Sequence, residues 1–176
     1  MALSVVYAVD TGHVLGALAL TGANAPTDAA ALVGTELPLR VSLGADGTAT
    51  LPVDARDLAV AAVDDEPGAL AEPLAFAVEF GADKKPRPKL LHLPSWTGGV
   101  EPTTDDLTIT VPLPATAPTR VVALVADSQV IHLLAGEIPA GRNDVKLPVT
   151  LAGDTAYGVL VLVAGWAGLL ERVNVA

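Results

Sequence analysis

The chain is 176 residues long with a net charge of −10, which argues against a nucleic-acid-binding face, because phosphate recognition needs clustered Lys and Arg. Apolar residues make up 51% and aromatics only 3%, so an ordered core has to be built from Val, Leu and Ala. The absence of cysteine excludes disulfides and thiolate metal sites, and 16 glycines with 14 prolines suit short strands joined by turns better than a helical bundle.

In chain order, residues 3–20 read as two Val/Leu-rich strands around Asp10-Thr11-Gly12, a tight-turn signal. Residues 23–36 are small and polar and read as a loop, with one helical turn over Ala29-Ala30-Ala31-Leu32-Val33. Strands are expected at 37–43, 48–53 and 58–63, the first two joined at Asp46-Gly47. A further strand over 74–80 completes a first unit. Gly81 to Asp106 contains Pro86, Pro88, Pro94 and Pro102 and reads as a proline-rich linker that packs through Leu90-Leu91-His92-Leu93 and Trp96. It also holds the one basic cluster, Lys84-Lys85-Pro86-Arg87-Pro88-Lys89.

Past residue 106 the pattern repeats. Val121–Val125, a turn at Ala126-Asp127-Ser128 and Val130–Leu134 restate the opening pair of strands. Leu147-Pro148-Val149 restates Leu51-Pro52-Val53, and an apolar strand follows each. The expected organisation is a unit at 1–80 with an insertion of about twenty residues around 20–40, a linker at 81–106, and a unit at 107–176, arising by internal duplication.

Leu151, the short turn Gly153-Asp154-Thr155, Tyr157 and the strand residues Val159–Val163 resemble the tyrosine corner of immunoglobulin-like and fibronectin type III sandwiches. The resemblance covers residues 107–176 and implies two tandem antiparallel β-sandwich units, all-β, with Tyr157 as a structural residue. It implies no activity, because the fold hosts many functions. The sequence departs from the family in having no Cys…Trp…Cys framework. Ala61 falls where Tyr157 would in the first unit.

Asp10-Thr11-Gly12 also fits an aspartic-protease motif, whose chemistry needs two carboxylates sharing a proton; Asp127 is the candidate partner, but Gln129 replaces the Gly. His13, His92 and His132 lack ligand spacing. The acidic turns Asp64-Asp65-Glu66 and Thr103-Thr104-Asp105-Asp106 are loop candidates for calcium, with a purely conformational role as the simpler reading. No cofactor motif is present. Trp96 and Trp166 lie in Gly-containing turns and are candidate partner contacts, with a Trp that covers the end of a sandwich core as the equal alternative. The strands Leu3–Val9 and Val159–Val163 carry little charge and are candidate edges for pairing with another chain.

These features lead to an expectation of a non-enzymatic structural or interaction protein, a subunit of a larger assembly such as a phage-tail-like or contractile injection particle. Its partners are then other protein subunits. Synthesis in the cytoplasm is expected, with no signal peptide and no membrane span, and release as part of a particle. An adhesive or carbohydrate-binding module is the alternative, and the protease a remote one.

Overall fold

The computed structural model describes residues 2–21 and 26–176, so part of the loop expected at 23–36 lies outside the described residues. Strand accounts for 52% of the described residues and helix for 11%, in several antiparallel sheets. Contacts divide the chain into two compact units, Met1–Leu37 with Pro52–Pro94, and Pro38–Leu51 with Ser95–Ala176.

In the first unit, β1 (Ala2–Ala8) and β2 (Val14–Leu20) form the hairpin expected at 3–20. After α1 (Ala29–Val33), β3 (Glu36–Ser42) and β4 (Thr48–Asp54) pair through the Gly44–Gly47 turn, and residues 38–51 of this hairpin group with the second unit. β5 (Leu58–Val63) then returns to pair antiparallel with β1, giving the order β2-β1-β5. The short α2 (Pro67–Ala71) starts with Pro at its first turn, where a missing N–H costs nothing, and Glu66 caps it by accepting from the Gly68 N–H. β6 (Phe76–Phe80) and β7 (Pro86–His92) complete the unit as a two-stranded sheet. Alternation sends Leu3, Val5 and Tyr7 from β1 into one apolar cluster with Val63, Phe76, Val78 and Leu90.

The second unit contains β8 (Val100–Pro102), β9 (Asp106–Thr110), β10 (Thr119–Ala126), β11 (Ile131–Ile138), β12 (Asp144–Pro148), β13 (Ala156–Val163) and β14 (Leu169–Asn174). They make two sheets, β12-β9-β8 and β11-β10-β13-β14. Leu107 and Ile109 from the first sheet meet Val121, Ala123, Val125, Val159 and Val161 from the second in one cluster, an arrangement compatible with a β-sandwich. Burying each such side chain contributes about 1.5–3 kcal/mol, which is how a core almost without aromatics is sustained.

β13 is buried at all eight positions, not at alternate ones. Tyr157, Val159, Val161 and Val163 face the core of the unit, and at Gly158 the opposite face is covered by the β3–β4 hairpin, whose residues 38–51 belong to this unit. A Cβ on Gly158 would lie 3.0 Å from the Cβ atoms of both Val41 and Ala49, a tight approach that a larger residue could make only if the hairpin gave way.

Two sequence expectations meet a different structure. The stretch 81–106 was expected to be a linker, but it holds β7 and β8, strands of the two units, and the division falls between Pro94 and Ser95. The prolines that suggested a linker sit at strand positions instead: β7 pairs only with β6, so Pro86 and Pro88 occupy an edge where a missing N–H is tolerated. Residues 38–51, read as part of the first unit, group with the second.

Candidate functional site

The Asp10-Thr11-Gly12 motif forms the β1–β2 turn. Gly12 donates its N–H to the Ala8 carbonyl at 2.8 Å and stands at φ 78°, left-handed backbone that glycine enters without penalty. Thr11 Oγ1 lies 2.8 Å from Nδ1 of His13, a fully buried residue that also bridges to Ala77. Val78 N–H donates to the Gly12 carbonyl at 2.9 Å, tying the turn to β6.

Asp127 opens the β10–β11 turn. Its Oδ1 accepts from the Gln129 and Val130 backbone N–H groups, both at 2.7 Å. That is an Asx turn, in which the carboxylate replaces a backbone acceptor. Asp10 and Asp127 therefore stand on turns of different units, and Asp127 uses one oxygen to hold its own loop.

The acidic loops have similar local roles. Glu66 caps α2, and Thr103 Oγ1 accepts from the Asp105 and Asp106 N–H groups at 3.2 and 3.0 Å. Among the described residues, no group of three or more His, Asp or Glu side chains is placed to hold a metal ion. His92 packs edge-on against Phe76, with ring centroids 5.1 Å apart. No helix among the described residues is long and apolar enough to cross a membrane.

Trp96, a candidate partner contact, is 5% exposed and belongs to the core of the second unit. Its indole N–H donates to the Ala167 carbonyl at 2.8 Å, so both its faces and its polar edge are used inside the protein. Of the two readings of Trp96, the burial corrects the partner contact and agrees with the core cover. Trp166 is half-buried and lines an open depression of about 260 Å³ with Leu113, Pro114, Thr116 and Thr119.

Tyr157 is buried, and its hydroxyl accepts the Ala152 N–H at 2.9 Å. The bond spans five residues and ties the start of β13 to the chain that leads into it from β12.

The candidate edge strands also need correction. Leu3–Val9 coincides with β1 and Val159–Val163 lies in β13; each is paired on both sides. A run with almost no charge is what a central strand looks like, because neighbours cover it. The edges of the larger sheet are β11 and β14. On β11, Ile131 is 51% and Leu133 65% exposed, and Val130 just before the strand is exposed as well. β11 was legible as the second half of a hairpin. Its position at an edge depended on which strand paired with β10 from the other side.

The surface of the first unit carries a second feature. Lys84, Lys85, Arg87 and Lys89 are all exposed on and beside β7.

No protein-family model matches this chain, and neither a curated protein nor a solved structure shows significant similarity to it. The functional reading therefore rests on the geometry described above.

Proposed function

We propose that the protein is a non-enzymatic structural subunit of a larger protein assembly, of the kind found in phage-tail-like or contractile injection particles. The observation that carries the reading is β11. It is an edge strand of the four-stranded sheet, and its large apolar side chains Ile131 and Leu133 face solvent. Folded chains usually blunt such edges with charge, proline or a bulge. Among the described residues β11 has Glu137 as its one carboxylate and no Lys, Arg or Pro. An uncovered apolar edge is suited to accepting a strand or an apolar surface from another subunit.

The finer architecture belongs to the same proposal. The second unit reads as an immunoglobulin-like or fibronectin type III-like sandwich, supported by three strands against four and by the Tyr157 bond at the entry to β13. Internal duplication is supported by topology as well as sequence. In the order β2-β1-β5 the first strand of a hairpin is flanked by a later strand, and β11-β10-β13 repeats that relation.

Isolation of the native protein under mild conditions, followed by measurement of particle mass, tests the reading. A complex much heavier than one chain, with other subunits in fixed proportion, is the expected result. A monodisperse single chain with no co-purifying protein overturns it.

The alternative, an adhesive or carbohydrate-binding module, is favoured by one feature, the depression beside Trp166 with its threonine hydroxyls. Glycan-array binding that disappears in Trp166→Ala, with an unchanged fold, is its expected signature.

A further inference from the structure

We infer that the cationic strand β7 docks a second copy of this chain by seating on that copy's acidic surface. The inference rests on the assembly reading above and names one of the contacts. Four of the ten basic residues fall within the six positions 84–89, leaving six against twenty acidic residues elsewhere. An acidic molecule thus carries a concentrated patch of the opposite sign. Such a molecule is complementary to its own surface.

The patch is compact. Arg87 and Lys89 lie on β7, Lys84 and Lys85 in the turn just before it, and all four are exposed, while Leu90 anchors the strand in the core of the first unit. None of Lys84, Lys85, Arg87 or Lys89 forms an ion pair with a carboxylate among the described residues. Like charges this close in sequence repel one another, a cost that a carboxylate-rich partner surface relieves.

Pro86 and Pro88 shape the recognition. They fix φ and remove N–H donors, so this strand is poorly suited to pairing through its backbone. One outward carbonyl, that of Pro88, already accepts the Asp64 N–H at 2.7 Å. The side chains are left as the binding elements, on a backbone stiffened in advance. Arg87 supplies a planar fork that matches a carboxylate, and the lysines supply point charges.

A nucleic acid would meet the repulsion of a chain at −10, whereas a second copy presents twenty carboxylates. A patch on one copy meeting a different surface on the next is a heterologous contact, which propagates into rings or filaments. At about 0.1 M salt the screening length is about 10 Å, so the net repulsion between whole molecules is damped while charges in contact still attract.

Sedimentation velocity over a range of protein concentrations tests this at about 0.1 M and about 1 M NaCl, where the screening length falls to about 3 Å. The expected result is a mass that rises with concentration at the lower salt and returns to one chain at the higher. The variant K84E/K85E/R87E/K89E is expected to weaken association by about tenfold or more while its thermal melt is unchanged. Should that variant lose its fold, the neutral set K84Q/K85Q/R87Q/K89Q replaces it, with the same loss expected. A wild-type monomer at every concentration overturns the inference, as does association that the folded variant retains or that strengthens with salt. Retention of the wild type on an oligo-dT column without self-association overturns it as well, and identifies a polyanion as the ligand. If the purified chain is monomeric but the native complex is large, only this inference fails; if neither assembles, the proposed function fails with it.

Discussion

The chain has two tyrosines, one in the core of each unit, and they do different work. Tyr157 accepts a backbone hydrogen bond through its hydroxyl and so fixes how the chain enters β13. Tyr7 packs its ring edge-on against Phe80 at 5.8 Å, and burial pushes its phenol above the ordinary value. The two units share a hairpin flanked by a later strand. Aligned on Leu-Pro-Val, however, buried Tyr157 and Gly158 stand opposite buried Ala61 and exposed Ala62. At Gly158 the difference follows from what covers the strand: Val41 and Ala49 of the β3–β4 hairpin pack closely over it, and glycine fits beneath them without displacing either. A shared pairing pattern is therefore compatible with different packing, because pairing is set by backbone and packing by side-chain volume.

The comparison breaks most severely at Trp96. Trp96→Ala removes the largest side chain from the core of the second unit and is expected to cost about 3–5 kcal/mol in urea denaturation. Both tryptophans lie in that unit, so the remaining emission of Trp166 reports it directly. Next comes Gly158→Val, which has to push Val41 and Ala49 away and is expected to cost about 1–3 kcal/mol. Ala62→Val at the matching exposed position should change stability by about 0.5 kcal/mol or less. Equal costs at the two positions would remove the argument from cover.

Tyr157→Phe leaves the Ala152 N–H without its acceptor and should lower stability by about 1 kcal/mol, up to about 3 if water cannot reach the site. Tyr7→Phe should stay within about 0.5 kcal/mol. Ser4 has a buried hydroxyl with no hydrogen-bond partner, so Ser4→Ala is expected to raise the melting temperature, by the equivalent of about 1 kcal/mol.

The smallest effect concerns pH. The Arg56 guanidinium, bonded to both oxygens of Asp54 with help from its own backbone N–H, holds the Asp54 carboxyl at about 2 instead of 3.8. A lowered folded-state value contributes stability above the unfolded value, and that contribution fades as pH falls from about 4 to about 2. Arg56 is exposed and Asp54 partly so, and solvent screens the pair, so the sharper measurement is an NMR titration of Asp54. Its midpoint should return toward the ordinary carboxylate range in Arg56→Ala.

Much of the pairing was legible locally. Asp10-Thr11-Gly12 and Asp46-Gly47 mark turns because short side-chain acceptors and glycine satisfy tight backbone, and strands flank both in the structure. The five apolar residues 29–33 form the expected helical turn, capped by Asp28. The step from Leu151 to Tyr157 was visible through its resemblance to a tyrosine corner, in which the hydroxyl bonds to backbone close in sequence. The candidate surfaces were less legible. Trp96 read equally as a contact or as core, because its flanking glycines allow either and its partner Ala167 lies 71 residues away. The strands at 3–9 and 159–163 looked like edges because they lack charge, yet the missing charge reflects neighbours on both sides.

The sequence by itself determined the all-β character and the positions of the turns, since these depend on alternation and backbone freedom, while the bond at Tyr157 was implied by the resemblance to a tyrosine corner. Only the tertiary structure decided that 81–106 contributes strands to both units, that the hairpin tip at 38–51 belongs with the second, and that β11 is an edge. Those outcomes depend on which distant surfaces exclude water together. Burial is set by the whole set of neighbours, and a local window of sequence does not contain them.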